Sequence, residues 1–454
     1  MTMRWKKLLV LPLALCLCLL LTGCLFNSRV EDLYSLPQLP EEYTELKNKI
    51  DAILSDGAEY AAPLSGSNVQ PVQLVDLDGD GTEEAVAFFR KSTEEKPLKI
   101  YIFRVQGESY EQAAVIEGSG TAIYSISYTD MDGDGVMELA VGWRVNNTDP
   151  DNLQTLQALS VYQLKELQPK ELLQKTYAKY IIADLNEDKK KELIIIRSDE
   201  ETNCTADYYR WENHALELTS SARVSTSVAE LSQTTSRVSV GTLEEGKPAL
   251  FVTGVEESSI AITDVLTSRD GDLVNITQSS TTGVSTEIFR YLSVYPQDIN
   301  NDGVTEVPVP TPLPTQGEGG VCYQVDWRSY DAEGNIDTVM TTCHDVDDGW
   351  YLVIPSSWSE KVLATRRVSM SGDATVTFAV IEDTGEPPRE FMRIYTQPDD
   401  EESDKSSRLT LSRGSGKLYT AEILENGSWN GSFTEEELHS AFYVIQPEWL
   451  TGDN

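Results

Sequence analysis

The sequence predicts a mainly β protein: a β-propeller of about five four-stranded blades, followed by a small C-terminal α+β domain. Three observations predict it. An acidic, glycine-punctuated loop returns along the chain at a nearly constant interval. Short strands of period two, four to each interval, accompany the returning loop. After Asp348 the period is lost. A fixed interval of this length is the mark of a repeat architecture.

The chain opens with a segment that reads as a targeting signal. Arg4, Lys6 and Lys7 precede an apolar run from Leu8 to Leu21, too short and wrongly flanked for a stable membrane span. The run ends in Leu21-Thr22-Gly23-Cys24, which resembles a bacterial lipoprotein processing site. Residues 1–23 are therefore expected to be a lipoprotein signal peptide, with Cys24 lipidated as the first mature residue. Such an anchor holds a protein on a membrane without spanning it. The expected location is the cell membrane, facing the extracytoplasmic side.

Residues 24–39 are polar and contain proline, and read as a membrane-proximal tether. Segment 40–61 carries Tyr43, Leu46, Ile50 and Leu54 at helical spacing and ends near Asp56-Gly57, which predicts an N-terminal helix. Repeats are expected over 62–348 and the C-terminal domain over 349–454. The formal net charge of −38 becomes more negative still once the three leader cations are removed. A surface of that sign repels nucleic acid and anionic headgroups, and suits divalent cations or basic partners.

The clearest loops are Asp76-Leu-Asp78-Gly-Asp80-Gly-Thr-Glu-Glu84 and Asp130-Met-Asp132-Gly-Asp134-Gly-Val-Met-Glu138. A third runs from Asp184 through Asn186 and Asp188 to Glu192, and another from Asp298 through Asn300 and Asp302 to Glu306. The intervals are 54 (130 − 76), 54 (184 − 130) and 114 (298 − 184) residues. The last is about two periods, so a degenerate copy is expected near residue 241, where Val240 to Phe251 carries Gly246 as its turn glycine. In each unit an alternating segment leads into the loop and an apolar run follows, such as Ala85 to Phe89 or Leu193 to Ile196. Two further strands then close the unit.

The fifth unit departs from this grammar. Its second strand reads Val307-Pro-Val-Pro-Thr-Pro-Leu-Pro314, compatible with an edge strand or with a polyproline segment. Cys322 and Cys343 flank a predicted hairpin with its turn around Ala332 to Asn335, so a cross-strand disulfide and two reduced thiols are both open. Cys204 has no evident partner. In the C-terminal region, strands are expected near Val376 to Ile381, Phe391 to Tyr395 and Leu418 to Ile423. Thr434-Glu-Glu-Glu437 is a capping box opening a short helix, and the acidic run from Asp399 to Asp404 reads as a solvated loop.

Carboxylates at loop positions one, three and five, a glycine at six and an acid at nine can wrap oxygens around one cation. Calcium takes six to eight such oxygens, whereas magnesium demands tighter octahedral geometry. An EF-hand is rejected: its twelfth position needs an acid, and here stand Ala87 and Val141, between strands.

The pattern Asp-x-Asp-x-Asp-Gly-x-x-Glu between two strands resembles the FG-GAP and VCBS repeats, the calcium-loop propeller repeats also found in integrin α-subunits. The resemblance covers roughly residues 62–345. It implies a first site of Asp76, Asp78, Asp80 and Glu84, and a second of Asp130, Asp132, Asp134 and Glu138. The fifth would use Asp298, Asn300, Asp302 and Glu306. In the third copy Asp184, Asn186, Asp188 and Glu192 persist. There, however, Lys189 replaces the turn glycine and Lys190 and Lys191 add positive charge, so weak or absent binding is expected. The fourth has Gly241, Leu243 and Ala249 where acids should stand, and is expected to be scaffold only. About two or three structural calcium ions follow.

No catalytic constellation emerges. His214, His344 and His439 lie in different regions, and phosphate-loop, zinc and nucleophile-elbow motifs are missing from the sequence. The expectation is a non-enzymatic surface lipoprotein that binds or scaffolds a protein or glycan partner. The alternative is a hydrolase with its pocket between the propeller and the C-terminal domain.

Overall fold

The computed structural model describes residues 43–445 apart from 108, 147–154, 200, 202, 359, 382–386, 400–407, 425–428 and 430. The leader, Cys24 and the tether lie outside the described residues, as does most of the acidic run at 399–404.

Helix α1 (Thr44–Ser55) forms where the spacing predicts it, burying Leu46 and Ile50 one turn apart. Six antiparallel sheets follow, and among the described residues none closes into a barrel. Sheet 1 contains Val72–Val75, Glu84–Arg90, Leu98–Gln106 and Ser109–Gly118, with Glu59–Tyr60 extending the edge beside Val72–Val75. Sheet 2 is Ala122–Thr129, Glu138–Asn146, Thr155–Gln163 and Lys170–Tyr177. Sheet 3 is Lys179–Ala183, Glu192–Ser198, Cys204–Glu212 and Ala215–Arg223. A short helix, α2 (Val228–Leu231), leads to sheet 4. That sheet consists of Arg237–Thr242, Pro248–Val255, Ile260–Arg269 and Asp272–Asn275, with Glu287–Arg290 also on the third strand.

These sheets stack face to face in chain order, and side-chain alternation shows how. In sheet 3, Leu193 and Ile195 pack with Ala140 and Leu159 of sheet 2, while Ile194 and Ile196 pack with Leu250 and Val252 of sheet 4. In sheet 4, Ala249 and Phe251 turn instead toward Val307 and Tyr330 of sheet 5. Both faces of each inner sheet are covered, which is why its second strand is apolar at nearly every position. The array has two different ends. Ala85, Ala87 and Phe89 on the outer face of sheet 1 are covered by α1, not by sheet 5.

Sheet 5 departs from the four-strand pattern. Its order is Val307–Pro312, Tyr323–Tyr330, Ile336–Asp345, Trp350–Val353 and Phe442–Val444. The proline-rich segment is an edge strand, paired only with Tyr323–Tyr330. Alternate prolines leave one row of N–H groups intact, so one side can pair and the other cannot. Where the other sheets have a strand before the acidic loop, this one has a single bridge, Gln297 with Glu306. Sheet 6 covers the opposite end. Its order is Gly320–Val321, Val362–Val368, Ala374–Val380, Arg389–Pro398, Lys417–Ile423 and Leu409–Gly414. The capping box at Thr434 opens helix α3 (Glu435–Ala441) as expected.

The expected start of a separate domain at 349 falls inside sheet 5. Trp350–Val353 pairs with Ile336–Asp345, Phe442–Val444 returns to pair with it, and Gly320–Val321 joins sheet 6. The chain therefore crosses between the two sheets in both directions, and they share one core around Trp350, Trp358 and Phe378.

The disulfide reading of Cys322 and Cys343 gives way here: both are free and buried, as is Cys204. The hairpin pairs Tyr330 with Ile336, but a bulge between Trp327 and Arg328 adds a residue to the return strand. Cys343 then stands opposite Gln324, and the two thiols are offset diagonally on one face. Burial pushes the Cys322 thiol up to about 12, with the Asp345 carboxylate adding to it.

Candidate metal centres

In sheets 1 to 3 the acidic loop joins the strand before it to a strand that begins with the ninth-position acid; in sheet 5 it is closed by the single bridge of Gln297 with Glu306. The closing pairs are Val75 with Glu84, Thr129 with Glu138, Ala183 with Glu192, and Gln297 with Glu306. The fourth loop closes on Thr242 with Pro248, three residues shorter. Its lack of ligands is thus a deletion as well as a substitution, which an alignment at constant length misplaces.

The four full-length loops share their wiring. The position-nine glutamates, all buried, each accept an N–H from position two: Leu77 at 2.9 Å, Met131 at 2.9 Å, Leu185 at 2.8 Å and Ile299 at 3.1 Å. The first aspartate accepts from position six: Gly81 and Gly135 at 3.0 Å, Lys189 and Gly303 at 2.9 Å. Position five accepts from position seven, as Asp80 does from Thr82 at 2.7 Å and Asp134 from Val136 at 2.9 Å. These bonds aim the loop's carboxylates inward before any cation arrives.

Positions four and six both take the left-handed backbone. At position six φ is 87° for Gly81, 89° for Gly135, 71° for Lys189 and 90° for Gly303. Position four repeats it with Gly79, Gly133, Glu187 and Asn301. The position-four requirement was visible as a second glycine in the first two loops. The apolar residue at position two, Leu77, Met131, Leu185 or Ile299, was equally visible. It is buried in every copy and plugs the loop onto the sheet.

Three loops gather three carboxylates whose oxygens lie within 4.8 Å of one another: Asp76, Asp78 and Glu84; Asp130, Asp132 and Glu138; and Asp184, Asp188 and Glu192. These three acidic clusters can hold metal ions. Asp80 and Asp134 stand outside the first two groups. The third loop, expected to bind weakly, gathers its carboxylates as the first two do, and the fifth, expected to bind, does not bring its carboxylates together in this way. Asn186 of the third loop and Asn300 of the fifth offer only amide oxygens, which accept the Asp188 and Asp302 N–H groups.

The electrostatics suit a bound cation. Burial pushes the carboxyls of Glu84, Glu138 and Glu306 up to about 7, and the neighbouring aspartates add to the effect. Glu192 is raised for the same first reason. Glu138 Oε1, Glu306 Oε1 and Asp184 Oδ1 are buried without a hydrogen-bond partner. A buried carboxylate oxygen left unpaired is costly, and a divalent ion supplies the missing partner. The donor set, all oxygen, suits calcium.

The loops also touch. Met137 N–H donates to Leu77 O at 2.8 Å, Lys191 N–H to Met131 O at 2.9 Å, and Thr305 N–H to Thr242 O at 2.7 Å. Lys247 of the fourth loop pairs with Glu187 of the third. A Cβ at Gly79 would collide with the carbonyl oxygen of Gly135. The five loops therefore form one continuous row along one end of the sheet stack.

His214 occupies a turn with φ of 63°, His439 lies on α3, and His344 is buried in sheet 5, where burial pushes its imidazole down to about 3.

Among known families, the FG-GAP-like repeat matches residues 76–141, from the first acid of loop one through the strand after loop two. No curated protein matches the chain. Similar solved structures include AofleA from Arthrobotrys oligospora, at 8% identity and a TM-score of 0.26, covering 74% of this chain and 85% of that one. Another is an exo-beta-1,3-galactanase from Phanerochaete chrysosporium with beta-1,3-galactotriose, at 8% identity and a TM-score of 0.25, covering 75% and 80%. At these scores neither likeness bears on chemistry.

Proposed function

We propose that this chain is a lipid-anchored, extracytoplasmic binding module, a scaffold for a protein or glycan partner with no catalytic role. In this reading the five sheets are successive blades of a propeller-like array, with α1 and sheet 6 covering its two ends. Calcium ions at Asp76, Asp78 and Glu84, at Asp130, Asp132 and Glu138, and at Asp184, Asp188 and Glu192 staple neighbouring blades. The observation that carries the reading is the repetition of one loop, with one hydrogen-bond wiring, in sheets 1, 2, 3 and 5. Repeated ligand sets in register serve a repeated structural need, whereas catalysis needs one asymmetric constellation. The anchor rests on the ordered leader and Cys24.

The test has two arms. Cys24→Ser should move the protein from the membrane to the soluble fraction and remove a lipid from its N-terminal peptide by mass spectrometry. The full chain in mild detergent should gain thermal stability when calcium is restored after chelation. Reproducible turnover of a glycan or ester, abolished by one carboxylate substitution, would replace the binding module with the hydrolase.

A further inference from the structure

We propose that a cleft between the fifth acidic loop and the aromatic edge of sheet 5 binds a neutral oligosaccharide. This rests on the binding-module reading and gives it a place and a ligand class. The cleft encloses about 360 Å³, in the range of small-molecule sites and enough for about one or two sugar rings. One wall is polar, with Gln297, Asp298 and Asn301; the other is apolar, with Met340, Tyr351 and Tyr443.

The apolar wall is built from cross-strand register. Tyr323, His344, Tyr351 and Tyr443 stand directly opposite one another on four adjacent strands. His344 and Tyr351 stack at 5.2 Å with planes 12° apart, and Tyr351 and Tyr443 at 5.0 Å and 10°. His344 is buried, so the column carries no charge. Tyr443, on the edge strand, is 46% exposed, while Tyr351 behind it is only 6% exposed. A rigid aromatic ring backed on one side offers a single flat platform, which suits the C–H face of a pyranose and not the enclosing cage that a quaternary cation needs.

The polar wall supplies the hydrogen bonds. The side-chain amides of Gln297 and Asn301 have no partner among the described residues, and each offers a donor pair and an acceptor at fixed geometry. Both oxygens of Asp298 accept loop N–H groups, from Asp302 at 3.1 Å and Gly303 at 2.9 Å, and keep lone pairs for a hydroxyl. The only carboxylate among these six residues is Asp298, and none of them is a cation. With a chain charge of −38, this selects against uronates, sulfated sugars and phosphates.

The test is isothermal titration of the full chain in mild detergent with calcium. The probes are neutral gluco-, galacto-, manno- and xylo-oligosaccharides, polygalacturonate and oligolysine. A neutral oligosaccharide should bind, and Tyr443→Ala should weaken it at least about tenfold while Tyr443→Trp retains it. Gln297→Ala and Asn301→Ala should each cost about three- to tenfold. Gln297→Ala should leave the melting temperature unmoved; Tyr443→Ala, which loses the stack on Tyr351, and Asn301→Ala, at a left-handed position, should lower it slightly without unfolding the chain. Binding untouched by Tyr443→Ala would overturn this cleft and leave the binding-module reading intact. Binding of oligolysine or polygalacturonate alone, or of no probe, would overturn the ligand class. Hydrolysis of a bound sugar would overturn the module reading itself.

Discussion

The third and fifth acidic loops share a backbone and differ in where their carboxylate oxygens go. In both, the position-three amide donates to the position-five aspartate, Asn186 to Asp188 at 3.1 Å and Asn300 to Asp302 at 2.8 Å; in the fifth, Asp298 Oδ1 also accepts the Asp302 N–H at 3.1 Å. In the third, Asp184 Oδ1 is buried without a partner and lies in a group with Asp188 and Glu192. Lys189 holds the left-handed conformation that Gly303 holds in the fifth, at a cost of about 1 kcal/mol that glycine avoids. The glycine therefore bears on how easily the loop forms, and the gathering of three carboxylates, present in the third loop and not in the fifth, bears on whether it can hold a cation.

Loss of the metal is the largest effect expected. At calcium about a hundredfold above its dissociation constant, each occupied site adds about 2.7 kcal/mol. Titration of the chelated chain should find three ions. Asp184→Asn should lower the count by one and Asp298→Asn should leave it unchanged. Equal losses from the two variants would break the comparison.

Proton linkage comes next, and it separates the same two loops. Glu84, Glu138 and Glu306 are raised to about 7 in the fold, against an ordinary value near 4.5, and Glu192 is raised as well. The folded state thus holds these protons more tightly than the unfolded chain does. The stability so contributed is complete below about 4.5 and is lost as pH rises through about 7. Without calcium the melting temperature should fall across that window. Calcium binds the deprotonated form and should cancel the fall at the first three loops. A residual slope in saturating calcium should remain, and Glu306→Gln should remove it. A flat profile for the unsubstituted protein in calcium would place a metal at the fifth loop as well.

Much of this was legible in the chain. Acids spaced by two, an apolar second position and a glycine at six specify a loop whose backbone amides meet its own carboxylates, and that wiring is local. The strand pairs flanking each loop follow from it. The misplaced features depend on distant partners or on one extra residue. The bulge beside Trp327 sets Cys343 opposite Gln324, two residues along the strand from Cys322. The strands at Gly320–Val321 and Phe442–Val444 pair with elements far along the chain, and no local pattern announces those partners. The weakness expected of loop three rests on Lys189 at the turn-glycine position and on the charge of Lys190 and Lys191. Among the described residues, the cation paired with its clustered carboxylates is Arg210, from a neighbouring strand of the same sheet.

Exchange of the position-six residues should have an effect of about 1 kcal/mol in each direction. Lys189→Gly relieves the left-handed strain and should stabilise the calcium-free protein by about that much, while Gly303→Lys should destabilise it similarly. The ion count should change in neither case. If Lys189→Gly created the third site from nothing, the glycine and not the free oxygens would be the determinant.

The smallest effect concerns Arg210, whose Nη2 lies 3.7 Å from Asp188 Oδ2. Both groups are partly exposed, so the pair contributes about 0.2–1 kcal/mol. It competes with a cation for the same carboxylate, since binding requires the guanidinium to share or release that oxygen. Arg210→Gln should therefore raise calcium affinity at the third loop about two- to fivefold and leave the first two loops unchanged. Titration against an Asp76→Asn, Asp130→Asn background isolates the third loop's share of the heat. Unchanged affinity there would mean that the guanidinium follows the metal without cost, and the third loop would then rank level with the first two.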